Sequence, residues 1–219
     1  AKESWVAFTP RRATSASGAK LTIQEDHSVL ASGKSPATDQ YELTGVLPIG
    51  AYSTLRLDAL THASLGSRNG PGRNPADPNF VLSEITVERL PVDGGAAQAV
   101  KIKGAIADYE QNGWPVKNAF DGNPKTGWAV SPKFNQDHFA RFTLARPLEV
   151  REGDRLRIRL SQQYGSRLCF GRVRLSAGKP GSENLSLADL QTALLVAVAK
   201  EEPTPSRRQW IRQLRGKAG

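Results

Sequence analysis

The segment Ala119–Ala129 concentrates residue types that could bind a metal ion. It reads A-F-D-G-N-P-K-T-G-W-A, with a carboxylate at Asp121, an amide at Asn123 and a hydroxyl at Thr126. A tight loop of this composition can direct several oxygens at one point, which hard cations such as calcium favour. The alternative is an Asx turn, in which Asp121 and Asn123 bond their own backbone and Trp128 fills the core. Because Asp-Gly turns are common, composition alone favours the Asx turn.

A second group of residues could recognise a sugar. Pyranose binding needs a flat apolar platform and a few polar groups for the hydroxyls, and the candidate platforms are Tyr109, Trp114, Phe134 and Tyr164. Polar contacts could come from Arg68, Arg73, His62 and His138. Most of these residues fall in two expected loops, Thr61–Pro78 and Tyr109–Trp114. Large aromatic residues are usually buried, so a core or anchoring role for Trp114 stays open.

The metal-loop motif resembles a known family. The pattern A-x-D-G-N-x-x-T-x-W over Ala119–Trp128, followed by the alternating segment Ala140–Leu144, resembles the discoidin or coagulation-factor type C family. Family 32 carbohydrate-binding modules share its galactose-binding-like jelly roll. This resemblance implies a structural calcium ion in the loop, bound through Asp121, Asn123, Thr126 and backbone carbonyls of the segment that begins at Ala119.

In the same family, a Glu on a terminal E-I-x-V strand completes the calcium site. The segment Leu82–Val87 resembles that strand, so the resemblance offers Glu84 as a further ligand. This segment precedes the metal loop, whereas the family places it afterwards. The order therefore predicts a permuted or elaborated sandwich.

A wider resemblance covers most of the chain. Five segments in order are similar to the middle region of large planctomycete multidomain proteins that also carry a cytochrome c-like domain: Leu55–Asp58, Gly70–Arg73, Asn79–Glu84, Thr126–Ala129 and Gly171–Ser176. The resemblance implies an extracytoplasmic location and neighbouring domains of a parent protein as partners. The chain has no C-x-x-C-H motif, so we expect no haem in this segment.

Composition excludes several classes of function. The chain has 219 residues, one Cys, three scattered His and no Met. A single Cys excludes an intramolecular disulfide and a cysteine-rich metal centre, and no apolar run is long enough for a transmembrane helix. The missing Met favours a processed chain or a segment of a longer one. No nucleophile elbow, P-loop or dinucleotide fingerprint is present, so we expect no enzyme, although Asp58 and Glu84 could pair as glycosidase carboxylates.

The net charge of +9 is concentrated in two regions. Residues 141–175 hold nine Arg that alternate with apolar residues, which predicts that these arginines lie on the solvent-exposed face of a sheet. The second region is the basic tail beyond residue 200. Clustered basic residues interleaved with aromatics on one element are absent from the pattern, so nucleic acid is not an expected partner.

The elements that must position these residues are mostly strands. Alternating segments predict an all-β jelly-roll sandwich over residues 1–178, with strands at Ser4–Phe8, Ala19–Gln24, His27–Ala31, Gln40–Leu47, Ser53–Leu60, Asn79–Leu90, Ala99–Ile106, Ala140–Leu144, Arg155–Leu160 and Leu168–Leu175. Helical spacing begins at Ser186, which predicts a linker and basic helical tail over 179–219. The function expected from the sequence is a non-catalytic polysaccharide-binding module with a structural calcium; the alternative is an interdomain docking module.

Overall fold

The computed structural model describes residues 5–66 and 69–179. The chain divides into two compact units, Ala1–Ser182 and Glu183–Gly219, and all described residues belong to the first. The helical tail expected from Ser186 and the candidate residue Arg68 therefore lie outside the described residues. Among the described residues, no helix is long and apolar enough to cross a membrane.

Within the described residues, twelve strands and one short 3-10 helix (Val116–Phe120) form the unit. The strands are β1 (Trp5–Ala7), β2 (Thr9–Ser15), β3 (Ala19–Ile23), β4 (Val29–Gly33), β5 (Asp39–Val46), β6 (Gly50–Leu60), β7 (Glu84–Leu90), β8 (Gln98–Ala99), β9 (Ile102–Ala107), β10 (His138–Val150), β11 (Arg155–Gln162) and β12 (Arg172–Gly178). All named strand pairs are antiparallel.

The strand order is that of a jelly roll. The larger sheet runs β3-β4-β12-β6-β10-β9, with β1 also paired to β12, and the smaller sheet runs β2-β5-β11-β7-β8. The strands β4 to β8 and β10 to β12 are eight in number, and we count them from one to eight in chain order. In this count the larger sheet contains the order 1-8-3-6 and the smaller sheet the order 2-7-4-5. The chain crosses between the sheets at most steps, as two Greek keys require. The predicted all-β jelly-roll sandwich is confirmed.

One hydrophobic core joins the inner faces of both sheets. On the smaller sheet, Tyr41, Leu43, Ile158 and Leu160 are buried, and on the larger sheet Leu57, Phe142 and Leu175 are buried. Polar residues alternate with them along β5 and β11 and lie on the outer side. This alternation follows from the two-residue period of a strand, which sends successive side chains to opposite faces.

Arg157, Arg159 and Arg172 lie on the outer faces of their strands, as the alternation predicts. Arg159 pairs with Glu42 and Glu88 at 2.8 Å, and Arg157 pairs with Glu88 at 2.7 Å. On the larger sheet, Arg172 pairs with Asp26 at 2.7 Å. These half-exposed pairs join adjacent strands across the sheet, so much of the positive charge in this region is balanced locally.

Candidate functional site

Four loops meet at one end of the sandwich, and they include both loops singled out from the sequence. Side chains join them by hydrogen bonds between distant parts of the chain: Thr61 to Asp137, Asn69 to Asn135, Asn74 to Ser166, and Asn79 to Gln111. Gln111 also accepts a hydrogen bond from the Ser131 amide at 3.1 Å. We call the described loop residues 61–66, 69–78, 108–115, 130–137 and 163–170 the loop end.

An aromatic pair is exposed on the loop end. The rings of Trp114 and Tyr164 pack edge to face, with centroids 4.9 Å apart and planes at 84°. Tyr164 is 48% exposed, whereas Trp114 is half-buried against Val81, Ala129 and Leu168. Trp114 therefore anchors the loop with one side of its ring and supports Tyr164 with the other. The Trp114 side chain is therefore neither fully exposed nor part of the fully buried core.

The other two candidate platforms are less open. Tyr109 is half-buried against the main core, and its carbonyl accepts a hydrogen bond from Trp128 Nε1 at 2.9 Å. Phe134 is also half-buried. Trp128 is fully buried, with its ring edge to face with Phe80, as the sequence predicted for a core residue.

Two polar candidates, Arg73 and His138, lie inside the protein. His138 is 1% exposed, and its ring nitrogens contact Asp108 Oδ2 at 2.8 Å and the Lys133 carbonyl at 2.7 Å. With both nitrogens engaged, His138 holds two loops together and offers no free atom to a sugar hydroxyl. Arg73 is 8% exposed and donates to the Gly33 carbonyl. His62, in contrast, bonds Ser64 within its own exposed loop.

The Asp121–Thr126 loop is an Asx turn. Asp121 Oδ1 accepts from the Asn123 amide at 2.8 Å, and Asp121 Oδ2 accepts from Thr126 Oγ1 at 2.8 Å. Thr126 Oγ1 is also 2.9 Å from the Asn123 carbonyl. The Asn123 side-chain oxygen accepts from the Lys125 amide at 3.1 Å. The Asp121 carboxylate, the Thr126 hydroxyl and the Asn123 carbonyl therefore lie close together in this exposed loop. Ala119 lies just before the loop, buried in the 3-10 helix.

Glu84 reaches this loop although it lies 37 residues earlier than Asp121. Leu82 and Trp128 exchange two backbone hydrogen bonds of 2.9 and 3.0 Å, which set the start of β7 beside the end of the loop. Glu84 Oε1 then accepts from the Gly122 amide at 2.7 Å. Glu84 therefore comes to the loop from the strand that precedes it in sequence.

The two carboxylates influence each other. Burial raises the pKa of Glu84, and the nearby Asp121 carboxylate raises it further, while the Gly122 amide opposes the shift. Slight burial raises the pKa of Asp121, but the Asn123 amide, the Thr126 hydroxyl and Glu84 outweigh it, and the net shift is downward. Two adjacent carboxylates resist full ionisation together, and a bound cation would remove that repulsion.

The chemistry of the donor set fits a hard cation. The loop and Glu84 provide carboxylate, amide, hydroxyl and carbonyl oxygens, which calcium prefers over nitrogen or sulfur. Residues 5–66 and 69–179 contain no group of three or more His, Cys, Asp or Glu side chains arranged to hold a metal ion. A cation here would therefore complete its shell with amide, hydroxyl and backbone oxygens and with water.

The carboxylate pair considered for glycosidase chemistry does not form. Asp58 lies on β6 of the larger sheet and bonds Arg56 at 2.6 Å, whereas Glu84 begins β7 of the smaller sheet. The expectation that the two would meet on neighbouring strands is wrong, because consecutive strands β6 and β7 belong to different sheets.

Several residues that shape the loop end carry no sequence signal. Gln111 and Asn79 lie 32 residues apart, and Asp108 and His138 lie 30 apart, so their contacts depend on the strand pairing. Only the interruption of strong strands by Gly, Pro and Asn marks this region in advance, and that signal locates the loops and not their partners.

Comparisons with known proteins find similar solved structures at low sequence identity. No protein-family model matches the chain, and no curated protein matches it. Among solved structures, CBM32-3 from a family 31 glycoside hydrolase of Clostridium perfringens is similar at 11% identity and a TM-score of 0.37, covering 79% of this chain and 92% of that one. A variant of the family 29 carbohydrate-binding module CBM29-2 is similar at 9% identity and a TM-score of 0.28, covering 81% and 90%.

Proposed function

We propose that this unit is a non-catalytic carbohydrate-binding module whose glycan site is the loop end. The observation that carries the proposal is the exposed Trp114–Tyr164 pair, held on loops that are tied together by side-chain hydrogen bonds. A sugar ring can stack on Tyr164 while exposed polar groups of Arg167 on the same loop and of Asn112 on the loop that carries Trp114 bond its hydroxyls. One stacked ring and two or three hydrogen bonds give weak binding, on the order of millimolar to micromolar.

Calcium belongs to this proposal as a structural ion. Asp121, Asn123, Thr126 and Glu84 would hold it, and the ion would tie the start of β7 to the loop that leads into Trp128. Its contribution would be to stabilise the unit, because no loop-end aromatic residue is among these ligands.

We further propose that the unit works outside the cytoplasm beside other domains of a parent protein. This follows from the family resemblance of the sequence, and an insoluble or cell-surface polysaccharide is the corresponding partner. If no glycan binds, docking between domains becomes the function to test.

The experiment that tests the glycan site compares Tyr164→Ala with the wild type by affinity electrophoresis and pull-down on insoluble polysaccharides. Retention should fall about tenfold or more in the variant, because one stacking platform is lost, while the melting temperature stays within about 2 °C. Tyr52→Phe provides a matched control, since Tyr52 is fully buried and its hydroxyl bonds Pro48 away from the loop end. Equal retention of Tyr164→Ala and wild type would contradict the proposal.

A further inference from the structure

A cavity beside β4 is lined by two residues whose side chains each hold an enclosed polar atom without a hydrogen-bond partner. Its volume is about 380 Å³, within the range of small-molecule sites. Arg73, Ser35, Ser64, Leu65, Gly66 and Pro75 contribute to its lining. Arg73 Nη1 and Ser35 Oγ are both enclosed and make no hydrogen bond in the structure. The long loop 61–78, part of the loop end, thus forms one wall of this cavity.

Arg73 carries its charge without an ion-pair partner. The residue is 8% exposed, Nη2 donates to the Gly33 carbonyl at 3.1 Å, and the Tyr41 hydroxyl lies beside its guanidinium. Among the described residues, no carboxylate lies within 4 Å of its guanidinium, although buried arginines are normally paired. An unpaired buried cation is a feature that calls for an anion.

The neighbouring carboxylate, Asp39, is already engaged elsewhere. Asp39 Oδ2 accepts from Ser15 Oγ at 2.6 Å, and Oδ1 accepts from the amides of Ser17 and Gln40. Asp39 and Arg73 act in opposite directions on the pKa of the buried Cys169 thiol, which burial raises to about 12. Asp39 therefore reduces the local positive potential, but its oxygens are committed to β2 and to the turn that follows it.

We propose that Arg73 and Ser35 form a binding site for an oxyanion, and that the oxyanion is the acidic group of a sugar. A guanidinium fork and a hydroxyl are the donors that carboxylate and sulfate groups bind best. The site deepens the proposed function, on which the choice of a sugar rests, because the backbone amide of Arg73 bonds Cys169 of the loop that carries Tyr164. The substrate class is then an acidic polysaccharide, with the charged group at the cavity and a sugar ring on the aromatic pair.

The test measures binding of oligogalacturonate and of its methyl ester by isothermal titration calorimetry. The two probes share a backbone and differ in charge, so wild type should prefer the acid about tenfold or more. Arg73→Gln should remove this preference, and Arg146→Gln should keep it, because Arg146 is an exposed arginine outside the cavity. Ser35→Ala should weaken acid binding several-fold, and it provides a second variant if Arg73→Gln does not fold.

Thermal shifts with sodium sulfate against sodium chloride at equal ionic strength test for a free anion. Stabilisation of wild type by sulfate, absent from Arg73→Gln, would support the oxyanion site even if no sugar bound. Binding of a neutral polysaccharide with no preference for the acid would retain the proposed function and overturn this inference. Identical responses of wild type and Arg73→Gln to every oxyanion would also overturn it and would favour a buried water at these donors.

Discussion

His138 Nδ1 lies 2.8 Å from Asp108 Oδ2, and the other ring nitrogen lies 2.7 Å from the Lys133 carbonyl. Both neighbours are acceptors, so the ring satisfies them best when both nitrogens carry a proton. Burial lowers the pKa of His138, but Asp108, the Lys133 carbonyl and the nearby charge of Asp137 outweigh it and raise the pKa above its usual value. The pair therefore joins the start of β10 to the end of β9, and it is an ion pair when His138 is protonated.

The free energy of unfolding should depend on this histidine. Because the folded pKa exceeds the unfolded value of about 6.5, the stabilisation is full below that pH and is lost as pH rises through the folded pKa. Urea unfolding of wild type should show this loss on the alkaline side of pH 6.5, and His138→Gln should remove it. His27→Gln should retain it, because the contact with Asp108 is intact. A wild-type slope that survives in His138→Gln would contradict the assignment.

Trp114 and Tyr164 should differ in their contribution to stability. Trp114→Ala removes packing against Val81, Ala129 and Leu168, so we expect it to cost about 2 kcal/mol. Tyr164→Ala changes a ring that is 48% exposed and should stay within about 0.5 kcal/mol. Differential scanning calorimetry measures both. A large loss in Tyr164→Ala would mean that its effect on glycan retention reflects folding.

Much of the fold follows from the sequence because strand alternation is strong where one face is buried. β6 and β11 match the expected segments closely. β2 was missed, since its sequence T-P-R-R-A-T-S has no apolar alternation and the strand lies at the edge of the smaller sheet. The strand expected over Asn79–Leu90 begins only at Glu84, because the backbone amides of Val81 and Leu82 bond the carbonyls of Leu168 and Trp128 instead of β11.

Less of the candidate site than of the fold could be predicted from the sequence. Glu84 meets the Asp121 loop through the Leu82–Trp128 bridge, which no local pattern encodes. Arg73 and His138 were expected among polar loop residues, yet both are buried by segments far along the chain. Periodicity shows which face of a strand is apolar, but the contacts between loops depend on the sheet order.

Gly127 should be required for the bridge that positions Glu84. A Cβ at this residue would lie 2.5 Å from the Leu82 carbonyl oxygen, so the two segments would have to separate. Gly127→Ala should therefore destabilise the unit by about 1–3 kcal/mol. Gly104→Ala is the matched control, because no atom lies within 4 Å of a Cβ there. Chemical denaturation distinguishes them, and equal stabilities would contradict the close approach.

Calcium should stabilise the wild type if the proposed ion binds. An ion at one hundred times its dissociation constant adds about 2.7 kcal/mol when it binds only the folded state. The melting temperature should rise with calcium and fall with a chelator, and Asp121→Asn and Glu84→Gln should lose this response. Asp93→Asn is a suitable control, because Asp93 also accepts a hydrogen bond from an amide two residues on, at Gly95. A wild type indifferent to calcium would leave the Asx turn as the only role of the loop.

Cys169 provides a probe of global opening. The thiol is 1% exposed, and burial raises its pKa to about 12, so little thiolate forms at neutral pH. Alkylation should be very slow in the native protein and should accelerate in Gly127→Ala about tenfold for each 1.4 kcal/mol of unfolding free energy that is lost. Rapid labelling of the wild type under native conditions would show local opening near Phe170 instead.

The position of β12 imposes an order on biosynthesis. This strand, the last of the sandwich in sequence, lies between β4 and β6 and pairs with β1 as well. A nascent chain that has emerged from the ribosome only as far as β11 therefore holds three strands, β1, β4 and β6, that still lack their pairing with β12. Closure must wait until Gly178 has left the exit tunnel, so the unit matures in one late step and depends on protection from edge-to-edge aggregation until then.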